Sequence, residues 1–231
     1  MVKIRNILTN FLKRSSSKNF ITGGQANVGV RVPSNPIALK LLTEFEELGG
    51  FGIAAPSANK FGAVSPTLAI DVNEELGDDL KPTDLILDGG QAIVGLESTI
   101  ISCLETGPLI LRPGAITVQM IEETTSFHLI ENNGNNIKAA GLLESHYSPK
   151  AKVFLDQQPK SGDGFLAMSK IPTPEGSIRL ASPETVEEYA RGLYSALRLG
   201  DKKNLRKIYV ILPLGAGLSE AIRDRLLKAA K

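Results

Sequence analysis

Short apolar runs that break off in glycine, proline, serine or asparagine recur along this chain, and they limit the folds open to it. Residues 27–32 (NVGVRV) alternate as a β-strand and stop at Pro33. Residues 51–55 (FGIAA) read as a short buried strand ending in Pro56-Ser57-Ala58-Asn59, and residues 84–88 (DLILD) as one ending in Gly89-Gly90. Further strands are expected near 98–104 (STIISCL) and 108–112 (PLILR). Helical spacings stand between them. Asn35-Pro36 supplies a cap and an N-terminal proline, Ile37, Leu41, Leu42, Phe45 and Leu48 follow at helical intervals, and Gly49-Gly50 end the helix. Ser65-Pro66-Thr67 opens a second helix that ends near Leu76-Gly77, and Thr117 caps a short third one. Such a mixture points to an α/β domain on a twisted open sheet.

A second unit begins near Ala151. Residues 152–155 (KVFL), 164–168 (GFLAM) and 207–212 (KIYVIL) read as strands. Ser182-Pro183 opens a helix with Val186, Ala190, Leu193 and Leu197 inward, and Leu218, Ile222 and Leu226 mark a last one. The order β-β-α-β-α predicts a small Rossmann-like domain. Gly215-Ala216-Gly217 lacks the third glycine of a dinucleotide motif and reads as an ordinary strand-to-helix turn. The boundaries expected are 1–135 for the first domain, 136–150 for a linker and 151–231 for the last domain, with NNGNN at 132–136 read as a turn or linker.

Composition excludes several classes. Trp is absent and aromatics are 5%, which removes a stacking platform for single-stranded nucleic acid. A net charge of +1 gives no broad basic footprint for a duplex. Cys103 is the only cysteine, so no intrachain disulfide and no cysteine metal cluster can form. No apolar run approaches the ~20 residues that span a bilayer, so no membrane role is expected. The first 43 residues carry no acid, and they read either as a transit-type start or, with Ile4, Ile7, Leu8, Phe11 and Leu12, as an irregular start with a short amphipathic helix.

The chemistry-bearing residues sit at strand ends and turns, where open α/β sheets bind ligands. Arg31 lies inside an apolar strand; alone it reads first as a structural salt bridge, and otherwise as a fork for a carboxylate or phosphate. Residues 54–67 (AAPSANKFGAVSPT) combine small residues with Ser57, Asn59 and Ser65, which either cap and turn the chain or meet phosphate and ribose. Ser65 also precedes an expected helix start, where N–H groups favour an anion. Residues 88–99 (DGGQAIVGLEST) deliver Glu97-Ser98-Thr99 through a loop made pliable by Gly89, Gly90 and Gly95. Ser98 has no His–Asp partner nearby and reads as a hydrogen-bonding group, not a nucleophile. Arg112 ends a strand at residues 111–114 (LRPG). No residue stands out as acid, base or nucleophile, and no metal-ligand spacing is present. The set favours electrostatic positioning of an anion.

In this order, VRVP, APSAN-x-FG-x-x-SPT, ILDGG, G-x-EST and LRPG resemble the YrdC-type family of threonylcarbamoyl-AMP synthases. Residues 143–149 (LESHYSP) and 182–230 resemble the linker and extra C-terminal domain of its long form. The resemblance implies a YrdC-like twisted open sheet, incomplete at its N-terminus, plus a small Rossmann-like domain. It implies a cytoplasmic nucleotidyltransferase that joins threonine, bicarbonate and ATP, with Mg²⁺, into threonylcarbamoyl-AMP and pyrophosphate for tRNA modification. By the same resemblance Arg31, Ala55 and Ser98 would bind threonine. Asn27, Ser57, Asn59, Ser65, Arg112, His146 and Tyr147 would bind ATP, with the linker closing over the nucleotide through His146 or Tyr147. Asn27 departs from the usual Thr or Ser. The family's long segment before VRVP, with its ATP-gripping K-x-R, finds no match in residues 1–19, so the expectation is a truncated domain. Two outcomes follow: a synthase, completed by a separately encoded N-terminal piece, or a non-catalytic remnant that binds nucleotide or RNA. Arg31, Ser57, Ser65, Ser98 and Arg112 are expected to face one anion-receiving cavity.

Overall fold

The computed structural model describes residues 8–13, 27–104, 107–125, 127–129 and 147–231. The chain divides into two compact units, one of Met1–Pro56 and Glu97–Leu142, the other of Ser57–Leu96 and Leu143–Lys231. The expected boundaries at 135 and 150 follow the sequence, whereas this division follows packing and groups Ser57–Leu96 with the C-terminal residues.

The first unit holds a four-stranded sheet of order β2-β1-β3-β4, built from β1 (Leu8–Lys13), β2 (Asn27–Val32), β3 (Thr99–Leu104) and β4 (Gly107–Arg112). β1 runs antiparallel to β2 and parallel to β3, and β3 runs antiparallel to β4. β1 corrects the helical reading of the N-terminal stretch: residues 8–13 pair with strands on both sides, and that ladder outweighs a local helical spacing. Helix α1 (Pro36–Glu47) begins where Asn35 Oδ1 accepts the N–H groups of Ile37 at 2.9 Å and Ala38 at 3.2 Å. It buries no residue, and Ile37, Leu41 and Phe45 stay exposed. Ile101, Ile116 and Ile121 form this unit's buried cluster. Ile121 comes from the next helix, α3 of the chain (Val118–Thr125), whose first turn is capped by Thr117 Oγ1 at 3.2 Å from the Met120 N–H.

The expected strands at 51–55 and 84–88 do not form. Their composition is strand-like, but composition supplies no partner, and among the described residues neither joins a ladder. Phe51, Ile53, Leu85 and Leu87 are exposed.

The second unit contains α2 (Ala69–Leu76) with a following 3-10 turn at Gly77–Asp79. Its sheet joins β5 (Lys152–Leu155), β6 (Gly164–Leu166), β7 (Ile178–Ala181) and β8 (Lys207–Val210) in the order β5-β8-β6-β7, all parallel. Helices α4 (Val186–Lys202) and α5 (Leu218–Ala229) complete a Rossmann-like α/β layer. Thr185 caps α4 by accepting the Glu188 N–H at 3.1 Å, and Glu187 and Glu188 sit at its positive end. Leu193, Leu197, Ile208, Val210, Ile222 and Leu226 are fully buried, each contributing about 1.5–3 kcal/mol of apolar transfer. β7 was not expected, because its four residues include Arg179 and show no alternation of apolar residues. That arginine forks onto the carbonyls of Ala167 at 2.6 Å, Ala181 at 2.7 Å and Ile171 at 2.9 Å, which explains a cation in a sheet. Among the described residues no helix is long and apolar enough to cross a membrane.

Candidate functional site

In the first unit, strand register places Arg31 and Arg112 in one row. Arg31 lies opposite Thr9, Thr9 opposite Ile100, and Ile100 opposite Arg112. Residues directly paired across strands present their side chains to the same face. Three strand spacings separate the two backbones by roughly 14 Å, a gap that two long side chains can largely close. Their electrostatics agree. Desolvation lowers the Arg31 pKa first, the charge of Arg112 lowers it further, and Glu97 raises it. Arg31 keeps exposed surface while feeling that crowding.

Arg112 is buried, at 6% exposure, and is held rigidly. Its Nε and Nη2 donate to the Ser98 carbonyl at 3.1 and 3.0 Å, and Nη2 reaches Ser98 Oγ at 3.5 Å. The expected pair Ser98 and Arg112 is therefore brought into contact. Thr99 Oγ1 donates to the Ile116 carbonyl at 2.6 Å and ties the turn after β4 to the start of β3. Gly114 explains the glycine of LRPG: a Cβ there would meet the Thr99 nitrogen and would stand 2.8 Å from Glu97 O and Ser98 C. All three are backbone atoms, so the chain must move. Gly114→Ala is expected to cost about 1–3 kcal/mol and to disturb the Arg112–Ser98 contact; urea denaturation with and without threonine checks both. Glu97 is the residue that sequence reasoning left without a role. Only its place beside Ser98 hinted at it.

Ala55 lies exposed in the same unit, outside any helix or strand. Asn27 is the first residue of β2, and its side chain lies outside the described residues, as does His146 entirely.

The second unit carries Ser57, Asn59, Ser65 and Tyr147. Ser57 is exposed on a loop without regular structure, and Ser65 is half-buried. Asn59 Nδ2 donates to the carbonyls of Lys60 at 3.0 Å and Ala63 at 3.1 Å, so its amide shapes the loop from within. The anion site expected at the following helix start is filled internally. Asp71, 5% exposed, accepts the N–H groups of Thr67 at 3.0 Å and Leu68 at 3.1 Å through Oδ2. The helix itself starts at Ala69, beyond Ser65.

Tyr147 is 1% exposed and belongs to this unit's core. It stacks on Tyr194 with centroids 5.8 Å apart, and the Arg225 guanidinium lies 5.5 Å over its ring. Gly95 is not merely pliable: at φ +78° it packs directly on the backbone of α4, where a Cβ would lie 2.6 Å from Ala190 O.

A family model described as "Telomere recombination" matches residues 4–114. One described as "Threonylcarbamoyl-AMP synthase, C-terminal domain" matches residues 116–231, more than half of the chain. The chain belongs to the threonylcarbamoyl-AMP synthase family. Within that family it is 36% identical to the threonylcarbamoyl-AMP synthase of Pyrococcus abyssi, over 91% of this chain and 66% of the relative. It is 32% identical to that of Bacillus subtilis, over 91% of this chain and 65% of the relative. It thus spans just under two thirds of the length of these curated family members. A crystal structure of P. abyssi Sua5 complexed with L-threonine superposes with a TM-score of 0.80 at 32% identity, covering 96% of this chain and 70% of that one. Family membership explains why a YrdC-like first part and a Rossmann-like last part occur together.

Proposed function

We propose that this chain makes threonylcarbamoyl-AMP and pyrophosphate from L-threonine, bicarbonate and ATP, in the cytoplasm, to supply tRNA modification. The observation that carries the reading is the row of Arg31 and Arg112: two like charges within electrostatic range of each other, with Glu97 as an opposing charge. A pair of guanidinium groups in one row, Arg112 fixed and Arg31 exposed, suits a small carboxylate. The related P. abyssi protein, complexed with L-threonine, supports that choice.

Arg31 would hold the threonine carboxylate, with Ala55 leaving room and Ser98 bonding the hydroxyl or the carbamate. Arg112 would add charge toward the phosphates while it stays fixed on Ser98. Ser57, Asn59 and Ser65 would form the nucleotide loop, and Asn27 and His146 remain assigned to ATP. The threonine amine captures carbon dioxide as a carbamate. A carbamate oxygen then bonds to the α-phosphorus as the bond to the bridging oxygen breaks, and pyrophosphate leaves. The protein aligns anions and offsets their repulsion. Among the described residues no group of three or more His, Cys, Asp or Glu is placed to hold a metal. In this reading Mg²⁺ enters as the MgATP substrate, bound by its phosphates.

Pyrophosphate release by the purified chain tests this, and it should require threonine, bicarbonate and ATP together. Arg31→Gln should raise the threonine KM about 10–100-fold, the loss of a charge-assisted hydrogen bond worth about 1.5–3 kcal/mol. It should change the ATP KM far less. ATP binding without turnover would overturn the synthase reading.

A further inference from the structure

Residues Asn59–Val64 form no helix or strand, yet their backbone is pinned from several sides. The Ala63 N–H donates to the Lys60 carbonyl at 3.1 Å, and the Ser148 N–H donates to the Gly62 carbonyl at 3.0 Å. The Lys60 N–H donates to Glu75 Oε1 at 2.7 Å. The other oxygen of that carboxylate, Oε2, lies 2.6 Å from Arg198 Nη2 on α4. The same Nη2 donates to the Val64 carbonyl. One ion pair therefore holds both ends of the loop, Lys60 through Glu75 and Val64 directly. Both side chains are only 13% exposed, so water competes little for them.

Neighbouring residues reinforce this. Arg191, Ser195, Arg198 and Lys202 recur at helical spacing along one side of α4. Arg191 Nε donates to Ile93 O at 2.9 Å, Ser195 Oγ lies 3.1 Å from Thr67 Oγ1, and Lys202 pairs with Glu74 at 2.7 Å. Leu193 and Leu197, on the buried side of the helix, have 0% exposure and fix α4 in the core. A rigid helix thus grips the segment that carries Ser57, Asn59 and Ser65.

We propose that Arg198 is a positioning residue for this loop: with Glu75 it sets the backbone geometry that presents Ser65 to a nucleotide, with Asn59 supporting the loop from within. The nucleotide part rests on the reading of the loop as the ATP site; the positioning part does not. The two are separated by measuring amide hydrogen exchange and ligand affinity on the full chain. Arg198→Met should speed exchange of the Lys60 and Ala63 amides at least about tenfold, with the Ile208 and Val210 amides on β8 unchanged. It should weaken ATP about tenfold and threonine less than about twofold. Arg198→Lys, which keeps the charge but not the planar guanidinium whose Nη2 meets both Glu75 and Val64, should fall between wild type and Arg198→Met. If Arg198→Met does not fold, Glu75→Gln, which keeps the shape, takes the same measurements with the same expectation. Unchanged loop exchange over an intact β8 overturns the proposal, and so does equal loss of ATP and threonine affinity. A wild-type chain that binds no ATP overturns the nucleotide reading alone, while loop exchange still decides the role of Arg198.

Discussion

Tyr147→Ala is expected to destabilise the folded chain by about 3–5 kcal/mol, the range for truncating a buried aromatic ring. The ring is 1% exposed and stacks on Tyr194, and Arg225 beneath it has no exposed surface at all. Removing it leaves a cavity and strips a buried guanidinium of a favourable face. The backbone adds an unusual detail. Tyr147 has φ 65°, a conformation that costs an L-residue about 1–2 kcal/mol. Alanine pays that cost while returning almost none of the packing, whereas glycine escapes it. Tyr147→Gly should therefore be more stable than Tyr147→Ala by about 1 kcal/mol, the reverse of their order in most folded segments. Urea denaturation of the two variants measures this directly. Equal stabilities would mean that the ring does not hold the backbone where it stands.

The C-terminal unit was legible because its elements are long enough to show a period and sit on one core. Val186, Ala190, Leu193 and Leu197 announce α4, and the last helix and β8 follow the same logic. β7 escaped because Arg179 interrupts its apolar pattern, and of the carbonyls that justify that charge, those of Ala167 and Ile171 lie outside the strand. In the first unit, β2 was readable from alternation, and β3 and β4 from short apolar runs. The segments 51–55 and 84–88 have the same alphabet without partners, and pairing is the part of a strand that no local pattern encodes. β1 is the opposite case: a stretch of helical spacing became a strand because a strand on each side offered it a ladder.

The site was legible by residue type more than by role. Arg31, Ser98 and Arg112 were singled out by their chemistry, and the register explains why the two arginines sense each other. What sequence could not give was the direction each polar group faces. Asn59 turns inward to its own loop, and Asp71 fills the helix start that Ser65 was expected to leave open. Arg198 lay in the stretch 182–230 that resembles the C-terminal domain but had no role there, Glu75 carried no motif, and 123 residues separate them, so only the fold could introduce them to each other.

Gly95→Ala is expected to cost about 2–5 kcal/mol, through two separable causes. The first is conformational: Gly95 has φ +78°, where any other L-residue is strained by about 1–2 kcal/mol. The second is steric. A Cβ there would lie 2.6 Å from Ala190 O and 2.7 Å from Arg191 O, both backbone atoms of α4. A helix anchored by Leu193 and Leu197 does not give way, so the 93–96 segment must retreat, and the 2.9 Å hydrogen bond from Arg191 Nε to Ile93 O is lost with it. Gly90 isolates the first cause, because its φ is +75° and nothing stands within 4 Å of its would-be Cβ. Gly90→Ala should therefore cost only about 1–2 kcal/mol. The gap between the two variants in urea midpoint measures the close approach of Gly95 to α4. Equal losses at the two glycines would mean that this approach is looser than 2.6 Å and that backbone conformation alone sets the preference for glycine.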